Sequence, residues 1–408
     1  MFKKLRKFGL GHCDFQSMIS NVSILLRLFV INIDKRNTKR IPLISFVVTI
    51  LISLGYFYTY LISAVWYVFW RCQETGDKIS ALIVFSLGVA SEISAFKLLF
   101  MYIYSDSIRN IVEGYLNLDA KTCTEIRLAI SLESKLKIIK KRATMYWCLL
   151  ISNGVVYAFK PLLLPGRHLM EDNFDLFGLD PILESPNYEI AFTACALGIF
   201  YTCYLASSIS AFLIVIAGYT ESQLIVLSEE IKNVWDDAKE QINGNKDSIL
   251  YKEDETKCLN NIINDHLKNI IIIHITNIDL MNDVKRVFSG SILVEFLLVI
   301  TSLIAELLGG LENTYLEMPY ALAQLTMDCI TGQKLIDACD VFNRAIYDSK
   351  WENFDSKNAK MVLLMLQNSQ KPLCLSAGGM TTLSFVCLMS ILRMIYSGYT
   401  TLRSTINE

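Results

Sequence analysis

The sequence predicts an all-α, polytopic membrane protein with seven transmembrane helices, and three observations carry that prediction. The 408 residues are 53% hydrophobic and 19% charged, with a mean hydropathy of +0.38. Soluble domains carry about a quarter charged residues, so this chain is unusually apolar. Several stretches reach the length of about 20 apolar residues that a membrane-spanning helix needs. Finally, Lys and Arg concentrate in alternate connecting segments, as they do in polytopic proteins.

The predicted spans, named S1 to S7 in chain order, are runs of mainly apolar residues of membrane length. They cover residues 41–70, 79–104, 144–164, 188–220, 287–308, 314–337 and 373–402. S6 is the most polar span, because Glu317, Gln324 and Asp328 interrupt its apolar run.

Apolar residues at helical spacing continue past the ends of three spans. They follow S4 over 221–235, precede S5 over 259–285 and follow S6 over 338–347. This spacing predicts that all three helices extend beyond the membrane.

The distribution of basic residues predicts the orientation in the membrane. Lys and Arg are frequent before S1, between S2 and S3, between S4 and S5, and between S6 and S7. The opposite side holds few, namely Arg71, Lys78, Arg167 and Arg403. Because cytoplasmic segments carry the excess of basic residues, the N-terminus is predicted to be cytosolic and the C-terminus extracellular. The helical extensions then lie in the cytosol.

Several classes of chemistry have no signature in the sequence. The net charge of −2 gives no basic field for nucleic acid. The four histidines show no metal-ligand spacing, and no phosphate-binding glycine loop or Ser/His/Asp set is present. We therefore expect no enzyme activity, no metal, no cofactor and no nucleic-acid partner.

Five ionisable residues fall inside predicted spans: Glu92, Lys97, Glu295, Glu306 and Asp328. Charge within a bilayer is costly and marks a functional hypothesis by default. Glu295 and Asp328 are the stronger candidates. Lys97 is expected to extend its ammonium toward the membrane surface, and Glu306 lies near the end of its span. Glu92 and Lys97 are five residues apart, so they are not expected to face each other.

Four short motifs in the C-terminal part of the chain occur in a characteristic order. They are Gly332-x-x-Leu335 after S6, Tyr347-x-x-x-Trp351, Pro372-Leu373-x-Leu375-x-Ala377-Gly378, and Tyr396-Ser397-Gly398-Tyr399 with Leu402. This series resembles the insect odorant receptor family, which has the same inverted orientation. Gly398 departs from the pattern, because it stands where the family usually has an aromatic residue. The chain also lacks the extra-long S4–S5 loop of the family's shared co-receptor.

The resemblance implies a ligand-tuned subunit of a heterotetrameric, odorant-gated, non-selective cation channel. Its partners would be the odorant receptor co-receptor subunit, a volatile small-molecule odorant and the lipid bilayer. It would reside in the plasma membrane of sensory-neuron dendrites as a multi-pass protein. The implied divisions are a cytosolic segment (1–40), a ligand-binding bundle of S1 to S6 with its cytosolic extensions (41–337), a cytosolic anchor segment (338–371), and the pore helix S7 with the extracellular C-terminus (372–408).

The resemblance also implies where the ligand and the pore lie. The odorant would bind in the outer half of the S2/S3/S4/S6 bundle, where an apolar volatile needs a dry cavity with few polar groups. The ligand-binding candidates are Phe85, Val89, Val156, Tyr157, Phe159, Phe192, Ala196, Phe200, Tyr320, Ala323 and Gln324. The pore candidates on S7 are Ser397, Thr401 and Thr405, of which the last two align with the family's gate.

Three other membrane-protein classes compete with this interpretation. An insect gustatory receptor would share the architecture, but its terminal Thr-Tyr and Gln-Phe signature is missing. A G-protein-coupled receptor would need an extracellular N-terminus and an Asn-Pro-x-x-Tyr motif, neither of which the sequence indicates. A secondary transporter is disfavoured because no internal repeat is visible.

Overall fold

A computed structural model describes residues 9, 11, 13–37, 41–123, 126–172, 174–244 and 252–407. Parts of the predicted cytosolic segment 1–40, and residues 245–251 of the segment between S4 and S5, lie outside the described residues. The helices are α1 (Phe15–Leu26), α2 (Leu43–Thr75), α3 (Lys78–Ile103), α4 (Ser105–Thr122), α5 (Ile126–Phe159), α6 (Asn187–Gly244), α7 (Lys252–Gly309), α8 (Met318–Tyr347), α9 (Ser356–Ser369) and α10 (Phe385–Asn407). Single helical turns lie at Arg27–Phe29, Lys160–Leu163, Leu311–Thr314 and Trp351–Asn353.

Aspartates fix the first residues of three helices. The side chains of Asp14, Asp77 and Asp355 accept hydrogen bonds from backbone N–H groups in the first turns of α1, α3 and α9. These N–H groups have no partner within the helix, and a short acidic side chain satisfies them. α2 is less regular, because its turns widen to the π-helical pattern over Phe57–Ser63 and Tyr67–Arg71.

α6 is the central helix of the bundle. In its most apolar membrane-length window, 89% of the residues are buried, against 22% for α2 and 17% for α10. α5, α7, α8 and α2 pack around it, and α3 packs mainly on α7. A helix that is apolar on all sides is expected inside a bundle, and the continuous apolar run of S4 fits this position.

The helical architecture predicted from the sequence is confirmed, including the long extensions. S4 lies in α6, which continues to Gly244, and S5 lies in α7, which already begins at Lys252. Among the described residues, five helices are long and apolar enough to cross a membrane: α2, α3, α6, α7 and α10. The predicted spans S3 and S6 are helical as well, within α5 and α8, but these two helices do not meet that criterion.

The prediction for the start of S7 is wrong. The chain from 373 to 384 is not helical, and it contains a two-residue antiparallel hairpin, β1 (Ser376–Ala377) with β2 (Thr381–Thr382). Gly378 and Gly379 both have positive φ angles, +60° and +72°, which reverse the chain at low cost. The Gly378 N–H also donates to the Ser289 carbonyl of α7 at 2.8 Å. Because this segment is apolar on average, it was predicted as the first part of the S7 helix. Only its two glycines indicate the turn.

The motif residue Gly332 has a direct packing role. A Cβ atom at this position would lie 2.4 Å from the backbone oxygen of Leu383, immediately before α10. Only glycine permits that approach, because a side chain at position 332 would collide with the Leu383 backbone. The backbone of α8 therefore lies in close contact with the chain that enters α10.

Candidate ligand-binding site

A small cavity of about 50 Å³ lies between the helices of the bundle, near the end where α5 finishes and α8 begins. It is bounded by α2, α3, α5 and α6 and by the segment leading into α8. Close packing of α5 on α6 forms one side, since a Cβ at Gly154 would lie 2.7 Å from the Cys203 Sγ.

Glu317 lines one end of this cavity, and Glu171 approaches the same Tyr157 hydroxyl from outside the lining; we call these two residues the carboxylate pair. The Tyr157 hydroxyl donates to the Glu171 Oε1 at 2.8 Å and lies 3.5 Å from the Glu317 Oε1. The Ser86 hydroxyl lies 3.2 Å from the Glu317 Oε2. Glu317 lines the cavity and is 7% exposed. Burial raises the pKa of the Glu171 carboxyl, which lies between α5 and α6, and the hydrogen bond from Tyr157 opposes that rise.

A second polar group lies deeper, and we call it the lysine cluster: Lys97, Ser210, Glu295, Gln324 and Asp328. The Lys97 Nζ lies 2.6 Å from the Glu295 Oε1, 2.8 Å from the Ser210 Oγ and 3.3 Å from the Gln324 Oε1. Asp328 interacts electrostatically with both Lys97 and Glu295. All five side chains are buried.

The expectation that Lys97 extends to the membrane surface is wrong. Lys97 is 4% exposed, and its ammonium forms an ion pair with Glu295 within the bundle. The sequence could not reveal this, because the partners come from other helices and lie far away along the chain. Glu92 does not face Lys97, as predicted, and accepts a hydrogen bond from the Tyr56 hydroxyl at 2.7 Å.

Tyr320 connects the cavity to the lysine cluster. Its ring lines the cavity, and its hydroxyl lies 3.4 Å from both the Thr202 carbonyl and the Ser94 hydroxyl. Gln324, one turn further along α8, is fully buried against Lys97.

The predicted ligand-binding residues fall into different surroundings. Tyr157 and Tyr320 line the cavity described above. Phe85 and Val89 line a second cavity of about 150 Å³ between α2 and α3, with Leu298 of α7.

The remaining candidates do not line the first cavity. Phe192, Ala196 and Ala323 are half-buried and pack against the core. Val156 and Phe159 are more than half exposed on the outside of α5, and Phe200 stacks on Tyr204 with ring centroids 5.1 Å apart.

Several residues that line the cavity were not predicted from the sequence, including Tyr60, Asn153 and Glu317. A usable signal was present in their spacing. Asn153 and Tyr157 are four residues apart, and Glu317 and Tyr320 are three apart, so each pair shares one helix face. Glu317 had been counted only as a residue that makes S6 less apolar.

The predicted pore residues lie on the last helix. Ser397, Thr401 and Thr405 are all exposed and follow one another at four-residue spacing on α10. The hydroxyls of Thr401 and Thr405 donate to the carbonyls of Ser397 and Thr401, at 2.9 and 3.1 Å. These bonds leave the hydroxyl oxygens free to accept along one face of the helix.

Comparisons with known proteins agree on one family and one fold. The model of the 7tm odorant receptor family matches residues 79–396. Odorant receptor 22a of Drosophila melanogaster is 23% identical over 38% of this chain and 38% of its own length. Odorant receptor 67a of the same species is 27% identical over 34% of this chain and 36% of its own length. The matched part therefore spans little more than a third of these relatives. The structure of the insect olfactory receptor OR5 from Machilis hrabei in complex with eugenol superposes with a TM-score of 0.74 and 15% identity, over 96% of this chain and 98% of that one.

Proposed function

The chain belongs to the 7tm odorant receptor family, and we propose that it is the odorant-sensing subunit of a ligand-gated, non-selective cation channel. It is a multi-pass helical membrane protein of a receptor family, not an enzyme. The family match also decides between the alternatives, because neither a gustatory receptor nor a G-protein-coupled receptor is expected to match this family model along most of its length.

The cavity carries the proposal. It is enclosed by several helices of the bundle and lined largely by apolar and aromatic side chains with a few polar groups, which is how small-molecule sites are built. A receptor of the same fold was solved in complex with eugenol, which supports a small organic ligand. We propose that Tyr157, Tyr320 and Gln324 contact or border the ligand.

The last helix supplies the proposed pore. α10 is 17% buried in its membrane-length window, so most of its surface is free to contact other subunits or water. Hydroxyl groups along one face suit a water-filled pathway. We propose that α10 helices of this chain and of the co-receptor surround one pore in a heterotetramer. The proposed orientation has a cytosolic N-terminus. The proposed domain boundaries follow residues 40, 337 and 371. The proposed location is the plasma membrane of sensory-neuron dendrites.

Whole-cell recording tests the proposed function. Cells would express this chain alone, the co-receptor alone or both, and receive volatile esters, terpenoids, aromatics and amines while G-protein signalling is blocked. We expect a fast cation current only from cells that express the pair. Silence from surface-expressed pairs, or a response that disappears with the G-protein block, would contradict the channel.

The pore assignment has its own test in Thr401→Leu. A larger apolar side chain at this exposed position should change the conductance or the cation permeability ratios of the pair. Thr400→Leu, which points to another side of α10, is the matched control. Unchanged permeability ratios in Thr401→Leu would remove this residue from the pore.

A further inference from the structure

Among the described residues no basic side chain forms an ion pair with Glu171 or Glu317, and we propose that the ligand supplies the missing positive charge: the cavity takes small volatile amines in their protonated form, with the ammonium group bound by Glu317. The inference rests on the proposed odorant-sensing function and specifies its ligand class. It departs from the expectation of a mainly apolar odorant, because the polar end of the cavity was not visible in the sequence.

Glu317 is buried with poor hydrogen-bond donors around it. The Tyr157 hydroxyl has one proton, and the Glu171 Oε1 at 2.8 Å is closer than the Glu317 Oε1 at 3.5 Å. The Ser86 hydroxyl also has one proton, and the Ile83 carbonyl at 2.7 Å is closer than the Glu317 Oε2 at 3.2 Å. Each neighbour is therefore better placed to donate elsewhere. A carboxylate offers about four acceptor positions, so Glu317 has capacity that the protein leaves unfilled.

No basic side chain compensates the pair among the described residues. Neither Glu171 nor Glu317 takes part in an ion pair there, although the other buried carboxylate facing a lysine, Glu295, does. The charge of Lys160 acts on Glu171 from a distance, but its ammonium lies over the Tyr315 ring, 5.5 Å from the centroid. Buried carboxylates are normally paired. The missing partner fits a cation that enters through the cavity.

The walls suit the rest of such a ligand. Tyr60, Tyr157 and Tyr320 present aromatic rings to the cavity, and aromatic faces attract ammonium groups within about 6 Å. Leu87, Ala90 and Ile199 provide apolar surface for a hydrocarbon body. A neutral alcohol could also donate to Glu317, but a charge-assisted hydrogen bond is about twice as strong as a neutral one. The geometry therefore favours the amine over the alcohol of the same shape.

Matched ligands and matched variants test the inference. Phenethylamine would be compared with phenethyl alcohol and propylbenzene, and isopentylamine with isopentyl alcohol. Two readouts are taken at neutral pH: the current of cells expressing this chain with the co-receptor, and the shift in thermal unfolding of the purified full-length chain. The variants are Glu317→Gln and Glu312→Gln, which removes the same charge from an exposed position nearby. Glu317→Asp serves as a second variant that keeps the charge on a shorter side chain.

We expect wild type to respond to the amines at concentrations at least about tenfold below the matched alcohols. Glu317→Gln should raise the amine concentration needed by at least about tenfold. The alcohols, which can still donate to the amide oxygen, should lose much less potency, so the preference for amines should disappear. Glu312→Gln should behave as wild type, and Glu317→Asp should keep the preference for amines at lower potency.

Equal responses to amines and alcohols, or an amine preference that survives in Glu317→Gln, would overturn the inference while the odorant-gated channel stands. The converse is equally distinct. Glu317-dependent stabilisation of the purified chain by amines, without any current from the pair, would support the amine site and contradict the channel. If no amine stabilises the folded chain, but neutral volatiles open the channel of the pair, the channel proposal is supported and the amine site is contradicted.

Discussion

The carboxylate pair and the lysine cluster are two polar regions of one protein, and they differ in their source of positive charge. In the lysine cluster Glu295 faces Lys97 at 2.6 Å, and Ser210 and Gln324 accept from the same ammonium. In the carboxylate pair Glu171 and Glu317 share neighbours that only donate neutral hydrogen bonds. One region contains its own counter-charge, and the other does not.

This difference favours a structural role for the lysine cluster and is the basis of the proposed ligand-binding role of the carboxylate pair. The ion pair between Lys97 and Glu295 joins α3 to α7, so this cluster contains a cation without any ligand. The cluster is not fully satisfied, since the Gln324 Nε2 and the Asp328 Oδ2 have no hydrogen-bond partner among the described residues. The Glu295 Oε1 lacks a well-aligned hydrogen bond, but it lies 2.6 Å from the Lys97 Nζ, and at that distance the two charges form an ion pair. Glu317 of the carboxylate pair borders the cavity, so its demand for a cation can be met from outside.

Removal of the buried cation should have the largest effect. Lys97→Met leaves Glu295 buried without a counter-charge, and a broken buried pair costs about 3–5 kcal/mol. We expect loss of most folded protein, measured by fluorescence-detected size-exclusion chromatography after heating. The double variant Lys97→Met/Glu295→Gln should recover a large part of it, and the exposed Lys268→Met should lose little. Equal stability of Lys97→Met and Lys268→Met would contradict a structural role.

The same substitution in the two regions should give opposite outcomes. Glu295→Gln leaves the Lys97 ammonium without a carboxylate at 2.6 Å and should lower the free energy of unfolding by about 3 kcal/mol. Glu317→Gln removes a buried charge that has no ion-pair partner, so stability should stay within about 1 kcal/mol of wild type or rise. Chemical or thermal unfolding of the two purified variants measures this difference. Similar losses of unfolding free energy in both variants would contradict it.

Tyr157→Phe should have a moderate effect confined to the carboxylate pair. The change removes the hydroxyl that donates to the partly buried Glu171 at 2.8 Å, and the loss of such a hydrogen bond costs about 1 kcal/mol. A lower unfolding temperature is expected, with the exposed Tyr315→Phe as control. If the two variants unfold at the same temperature, Tyr157 does not support the pair.

The smallest effect expected is in the pH dependence of stability. Because burial raises the pKa of Glu171 above its ordinary value of 4.5, the folded state binds this proton more tightly than the unfolded state does. Its contribution to stability is complete below pH 4.5 and is lost as the pH rises through the raised pKa. Wild type should therefore lose stability relative to Glu171→Gln as the pH increases from 4.5. Unfolding temperatures of both proteins across that range provide the measurement, and parallel curves would contradict the assignment.

The sequence predicted the helical architecture well and the polar interior poorly. Helix positions depend on local apolar spacing, so S4, S5 and their extensions appear in α6 and α7 as expected. The environment of Lys97 depends on residues 113 and 227 positions away along the chain, Ser210 and Gln324, and no local pattern encodes that. Glu317 was noticed only as a polar residue of S6, and its approach with Glu171 to one Tyr157 hydroxyl required the folded chain.

The fixed base of α10 determines how that helix can move. The Gly378 N–H is bonded to Ser289 of α7, and Gly332 of α8 admits the backbone at Leu383, so the segment before the helix is clamped on two sides. Beyond the clamp α10 is a rod of 23 residues with little lateral support. Such a rod is about 35 Å long, and a tilt of about 10° at its base would carry the free end roughly 6 Å sideways over that length. A small rotation of α7 or α8 is therefore magnified along α10, in the manner of a lever whose fulcrum is the glycine hairpin.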